Sequence, residues 1–309
     1  MKISGLFLND HRVLRPIWRF VLFVLLFFYG GHALDFLLTR IHYPDRTFTW
    51  YGLLTNYPMD FALVVAISLV MSWIGKEKFS SYGLPLVRDA GVLFAKGIVW
   101  GFIPSALILI PIYVAGGCEF HGLALHGGEL ISSALLWGAA MIVLGFSEEF
   151  LFRGCALKTL GESIGFWPAA IFLSSIFGLV HLIFKPHEDW IDLVSVALYG
   201  VFWCLTLKRT GSLWFAVGFH AASDYADMIV FAEPNSGNDG LPLAGHLLDV
   251  RFHGPEWLTG GPRGTEASLV VFVVLLGLFY FFHKAYPPAL NESSGPAQPP
   301  SLSLKNTNS

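Results

Sequence analysis

Charge is what this chain has least of. Only 13% of its 309 residues are Asp, Glu, Lys or Arg, against roughly 25% in soluble domains, and that scarcity excludes a single core wrapped in a water-solvated shell. Cysteine is nearly absent too. Cys118, Cys155 and Cys204 stand far apart, with no CxxC or other zinc-like spacing, which argues against a disulfide framework or a zinc ribbon and leaves three small apolar fillers. There is no Gly-rich phosphate loop, so a nucleotide-driven pump has no motif to rest on. No basic patch points to nucleic acid as a partner, and no segment repeats internally.

Apolar length is what the chain has instead. Hydrophobic residues make up 54% of it, at a mean hydropathy of +0.60. A bilayer core takes about 20 apolar residues per helical span, and eight runs near that length recur: 17–39, 58–74, 90–115, 130–157, 165–184, 189–207, 212–232 and 266–286. The pattern predicts an all-α polytopic membrane protein of about eight transmembrane helices. Arg12, Arg15 and Arg19 precede the first run as they would a secretory signal, but the apolar stretch continues through Leu37 and Leu38. That is longer than a signal's hydrophobic region, so a retained anchor is expected.

Orientation follows from the loop cations, which are in excess on the cytoplasmic side. With the N-terminus inside, the inner loops hold Lys2, Arg12, Arg15, Arg19, Lys76, Lys78, Arg88, Lys158, Lys208, Arg209, Lys284 and Lys305. The outer loops hold only Arg40, Arg46, Lys185, Arg251 and Arg263. The bias predicts an N-in, C-in topology; the expected location is the plasma (inner) membrane of a prokaryote. The chain then divides into a cytoplasmic N-terminus (1–16), N-terminal transmembrane helices and loops (17–128), a core with most of the unexplained polar residues (129–232), an extracytoplasmic loop (233–265), a last transmembrane helix (266–286) and a tail of disordered composition (287–309). The Gly/Pro-rich loop 233–265 is too long for a simple connection, and is expected to be functional or loosely ordered.

Ionisable groups inside a span cost roughly 2.5 to 3.5 kcal/mol each on insertion scales, so those that persist are candidate functional residues. In "FSEEFLFRG", Glu149 and Arg153 stand at i,i+4 and share a helix face. Glu148 points about 100° away, which leaves one carboxylate free while the other pairs with the arginine. "FGLVH" carries Phe177 and His181. "HAASD" sets His220 and Asp224 on one face. If spans four and five turn near residues 163–166, Glu148 and His181 are about equally far from that turn. Glu148 then lies roughly 15 Å inside the bilayer and His220 about 12 Å. Catalytic helices four to seven would thus bring carboxylates and imidazoles to one depth.

Such a group has two routes to hydrolysis. It can hold a divalent metal such as zinc with an open position, which lowers the pKa of bound water. Alternatively, a Glu can directly deprotonate a water while neighbouring groups stabilise the oxyanion. The residues leave both open. A competing reading is a proton-coupled transporter using the same Glu/His/Asp groups, although transporters usually show paired, inverted halves and the first three spans carry no matching set.

EExxxR, FxxxH and HxxxD, in this order on successive helices, resemble the CAAX-processing and bacteriocin-processing (CPBP, or abortive-infection) intramembrane proteases over about residues 129–232. The resemblance implies a membrane-embedded endopeptidase of the CAAX prenyl protease type, acting on a membrane-associated peptide or protein in the lipid bilayer. It further implies that Glu148 activates the water together with His181, and that His220 with Asp224 helps hold the oxyanion. Glu149 and Arg153 complete the motif. Asp224 stands where the prenyl-protein proteases carry Asn.

Overall fold

The computed structural model of the chain describes residues 4–43, 47–86 and 88–288. All eight apolar runs are helical in it. Their order is α1 (Pro16–Arg40), α2 (Trp50–Gly75), α3 (Ala90–Val114), β1 (Cys118–Leu123), α4 (Gly127–Leu151), α5 (Leu157–Ile164), α6 (Phe166–Phe184), α7 (Trp190–Thr210), α8 (Trp214–Asp224), β2 (Leu248–Phe252) and α9 (Val270–Ala285). Among the described residues, six helices are long and apolar enough to cross a membrane, α4 counting as one with α5; α9 is apolar but shorter. The expected tail lies outside the described residues from 289 onward, as do Lys2, Arg46 and Lys305 of the cation count.

Three boundaries differ from the periodicity, each for a local reason. The second helix begins at Trp50, eight residues before the expected 58, because Pro58 sits within the helix and does not start it. The fourth run does not continue as one α-helix. Residues Phe152–Ala156 form a π turn with Gly154 at φ −80°, ψ −117°, and α5 follows. The seventh run is α-helical only to Asp224 and then winds as a second π turn, Tyr225–Val230. Single π turns inside helices recur at functional sites; the first of these carries Arg153 and the second follows Asp224.

Helix α8 is the axis of the fold. Nine consecutive residues, Phe215–Ser223, are buried, as expected of a helix apolar all round. Its closest neighbour is α3, and small residues set the spacing. A Cβ at Gly97 would stand 2.2 Å from the Phe215 carbonyl oxygen, and one at Gly101 would stand 2.3 Å from that of Phe219. In a membrane, where apolar surface gains little from leaving lipid, such backbone approach is what holds helices together. Gly165, at φ 93°, makes the turn between α5 and α6, where the depth argument placed it.

The loop 233–265 is ordered. Its strand β2 pairs antiparallel with β1, Cys118 opposite Phe252 and Phe120 opposite Val250. Arg263 reaches the start of α7, where Asp189 and Asp192 form a capping box; it bonds Asp192 at 3.1 Å and also pairs with Asp189. At the opposite face Arg19 grips Glu77 at 2.5 Å and Glu162 at 2.8 Å, and Lys158 bonds both of those carboxylates. This network ties α1 and the end of α2 to α5, next to the π turn that carries Arg153.

Candidate active site

The centre of the polar cluster is Glu149. Its side chain is fully buried, and Oε1 accepts a hydrogen bond from Nη1 of Arg153 at 3.1 Å. The same oxygen lies 2.9 Å from Nδ1 of His220. One carboxylate therefore joins α4, the π turn and α8. The i,i+4 pair was legible in the sequence; its second engagement, with a histidine 71 positions away, was not.

Arg153 is satisfied partly by aromatic rings. Its Nε and Nη2 have no hydrogen-bond partner, but the guanidinium carbon stands 4.8 Å from the centroid of Phe177, 5.1 Å from that of Trp203 and 5.5 Å from that of Phe152. A desolvated cation over several ring faces gains up to about 2 kcal/mol or more, which offsets part of the cost of burying it. Gly200 makes the room: a Cβ there would stand 2.6 Å from Nη2.

His220 is held on three sides. Trp203 stacks on it, centroids 4.2 Å apart and planes at 9°, and Phe177 meets it edge-on at 6.4 Å. With Nδ1 turned to Glu149, Nε2 faces two carboxylates, Asp224 Oδ2 at 3.4 Å and Glu148 Oε2 at 3.8 Å. A histidine whose Nδ1–H is fixed by a carboxylate presents Nε2 in a defined tautomer and direction. Glu148 and Asp224 retain 23% and 14% exposure against 5% for His220, so they form the accessible side of the cluster. His181 sits one turn beyond Phe177. Its Nδ1 lies 3.0 Å from the Phe177 carbonyl oxygen, which leaves Nε2 for another partner. No direct bond joins Glu148 to His181 among the described residues; both lie within electrostatic reach of His220.

The end of α6 adds groups that no motif contained. Nζ of Lys185 is 3.6 Å from Oε1 of Glu188. Burial alone would push the Lys185 ammonium down, but Glu188, Glu266, Glu148 and Asp224 together hold it above a lysine's ordinary value. Burial pushes the Glu266 carboxyl up to about 7 although Lys185 opposes it. Glu233 is also pushed up to about 7 by burial, against the bonds it accepts from Thr265. Trp203 and Gly200 were missed because one aromatic and one glycine in an apolar helix carry no periodic signal. Lys185 had one: it follows His181 by four residues.

The donor geometry does not fit the metal alternative. Among the described residues no three His, Cys, Asp or Glu side chains are arranged to hold an ion, and Oε1 of Glu149 is shared between Arg153 and Nδ1 of His220.

Comparison with known proteins agrees with the motif reading. Residues 129–226 match the family of type II CAAX prenyl endopeptidases described as Rce1-like. An uncharacterised protein of Bacillus subtilis, YyaK, is 25% identical over 301 residues, covering 89% of this chain and 94% of its own. No solved structure matches. At the level of family, the match supports a CAAX-type intramembrane protease, and with the six apolar helices it marks an integral membrane protein.

Proposed function

From the Rce1-like match over residues 129–226 as premise, we propose that this chain is an intramembrane endopeptidase that hydrolyses a peptide bond of a membrane-anchored peptide or protein with a water activated by Glu148. The observation that carries the reading is the clamp on His220. Nδ1 is fixed by a fully buried carboxylate at 2.9 Å, the ring is stacked on Trp203, and Nε2 is turned toward Glu148 and Asp224. A side chain locked this way is prepared for a reaction centre, since preorganised donors cost no reorganisation when charge develops.

In the proposed reaction Glu148 takes a proton from water as the water oxygen attacks the scissile carbonyl carbon. The carbonyl oxygen becomes an oxyanion, which His220 stabilises through Nε2–H in its doubly protonated, cationic form, Nδ1–H being given to Glu149. Glu148 then returns its proton to the amine nitrogen as the C–N bond breaks. His181 shares in holding the water, and Asp224 orients His220 from its own helix face. Glu149 and Arg153 fix the position of His220 and do not touch the reacting atoms. No step runs through a metal. The N-in, C-in orientation in a prokaryotic plasma membrane belongs to the same proposal, and no observation favours the transporter alternative.

The test is Glu148→Gln in the full-length chain, reconstituted in liposomes with a membrane-anchored peptide library. The amide keeps the shape but cannot accept the proton, so turnover is expected to fall by about 10² to 10⁴ with substrate binding retained. Glu148→Gln that cleaves at the unmutated rate would overturn the role of Glu148. An unmutated protein that cleaves nothing would overturn the peptidase reading itself.

A further inference from the structure

The end of α2 holds a lysine where a glycine is usual. The N–H of Lys76 donates to the Trp73 carbonyl at 3.2 Å and that of Glu77 to the Ser72 carbonyl at 3.1 Å, the paired bonds of a Schellman end. The left-handed residue of that end is Lys76, at φ 52° and ψ 40°, although Gly75 stands one position earlier. A side chain in that region is strained, and such strain persists where the surroundings over-determine it. Lys76 there forms part of the wall of a groove of about 670 Å³, together with Leu69, Ser72, Trp73, Ile74 and Glu77.

The groove is apolar along its length and positive at its rim. Leu69 is exposed, and Trp73 is 81% exposed, more than any other tryptophan of the chain; in an integral membrane protein such a face meets lipid, and tryptophan gathers at the headgroup level. The exposed Lys76 adds an ammonium at the helix end. Glu77 also lines the groove, but its carboxylate is taken up by Arg19 at 2.5 Å, by Lys158 and by the Tyr82 hydroxyl at 2.8 Å. Residues 61–88 contain no other acid, so Lys76 and Lys78 set the sign of this end. An apolar wall ending in a cation matches an acyl chain ending in a phosphate, and anionic headgroups attract lysines at the membrane surface. A peptide segment in the groove would bring backbone N–H and C=O groups to a wall of side chains that is largely apolar. A free anion would leave that wall unused.

We propose that this groove binds one anionic phospholipid, its phosphate on the Lys76 ammonium and an acyl chain along Leu69 and Trp73. The inference needs only an integral membrane protein and does not rest on the peptidase reading. Because Glu77 follows Lys76 and pairs with Arg19 of α1 and Lys158 of α5, a lipid held there braces the junction of α1, α2 and α5.

The probe is phosphatidylglycerol with brominated acyl chains, which quenches nearby tryptophan, and the control is phosphatidylcholine brominated in the same way. The full-length chain is reconstituted in phosphatidylcholine vesicles in which either brominated lipid is titrated, and the contribution of Trp73 is taken as the difference from Trp73→Phe. Phosphatidylglycerol should quench it at a lower mole fraction than phosphatidylcholine does. Lys76→Gly removes the ammonium and relieves the left-handed strain. It should therefore melt no lower than the unmutated protein while its preference for phosphatidylglycerol falls about fivefold, the size expected for one lysine at an anionic surface. Lys76→Gln should lose as much, and Lys78→Gln, outside the groove, should lose little. Equal quenching by the two lipids in the unmutated protein overturns the proposal, as does a folded Lys76→Gly or Lys76→Gln that keeps the full preference. A Lys78→Gln variant that loses as much as Lys76→Gly assigns the attraction to diffuse surface charge, and the proposal fails. It fails too if inorganic phosphate abolishes the preference at constant ionic strength, since the site then takes a free anion.

Discussion

A single added methyl group at Gly200 is expected to disable the site without touching any motif residue. In Gly200→Ala the new Cβ would stand 2.6 Å from Nη2 of Arg153 and 2.9 Å from Cβ and Oγ of Ser174. Separating α6 from α7 to accept it would give up their close packing, where a Cβ at Gly178 would lie 2.5 Å from the Leu193 carbonyl oxygen. The guanidinium must move instead. It is 1% exposed and fixed by Glu149 and three rings, so its displacement weakens the 3.1 Å bond to Glu149 and leaves that carboxylate buried with its cation displaced. Overpacking costs about 1 to 3 kcal/mol, and removing one partner of a buried ion pair outright costs about 3 to 5 kcal/mol. A displaced arginine keeps part of its attraction, so a loss of about 2 to 4 kcal/mol is expected between these limits. Activity should fall further than stability alone accounts for, because Glu149 also fixes Nδ1 of His220. The assay pairs thermal unfolding of the purified protein with cleavage of a membrane-anchored peptide in liposomes. Adding Ser174→Gly relieves two of the three contacts but not the one with Nη2, so it should not restore cleavage. Gly200→Ala with unchanged melting and unchanged cleavage would refute the claim that Arg153 is held in a fixed pocket.

Trp203→Leu removes the ring stacked on His220 and one of the three rings around Arg153, which should cost on the order of 1.4 kcal/mol, or tenfold in kcat; kinetics on the reconstituted variant check this, and an unchanged kcat would show the stack to be incidental. Glu233, 2% exposed, is pushed up to about 7 from its ordinary 4.5 by burial, so the folded chain binds its proton more readily than the unfolded chain between those values. Its contribution to stability is therefore fully present below about pH 4.5 and is lost as pH rises through 7. The slope is at most about 1.4 kcal/mol per pH unit. Thermal melts at a series of pH values should show that fall, and Glu233→Gln should flatten it; a variant as pH-dependent as the unmutated protein would assign the slope to other groups. Treatment with a chelator is expected to leave peptide cleavage intact. Stoichiometric zinc that copurifies and is lost together with activity would reverse this reading.

What the sequence determined by itself is local or one-dimensional. Apolar runs of bilayer length became helices at all eight positions because an unsatisfied backbone cannot cross lipid, a constraint each segment meets alone. The Glu149–Arg153 and His220–Asp224 pairs were equally legible, since i,i+4 spacing on a helix needs no other element. The turn at Gly165 followed from the polar residues around it. Tertiary structure decided everything that depends on two helices meeting. The sharing of Glu149 between Arg153 and His220 exists only because α4 packs beside α8. The cradle of Arg153 needs Gly200 on α7 and Phe177 on α6. The stack on His220 falls to Trp203 and not to another tryptophan because of how far α7 slides against α8. The order of loop 233–265 rests on Arg263 reaching the cap of α7 and on β2 pairing with a strand more than a hundred residues earlier. Periodicity records which face of a segment is apolar, but not which neighbour that face meets or at what height. In this chain the chemistry is set by those heights, fixed by close backbone approach at Gly97, Gly101 and Gly178.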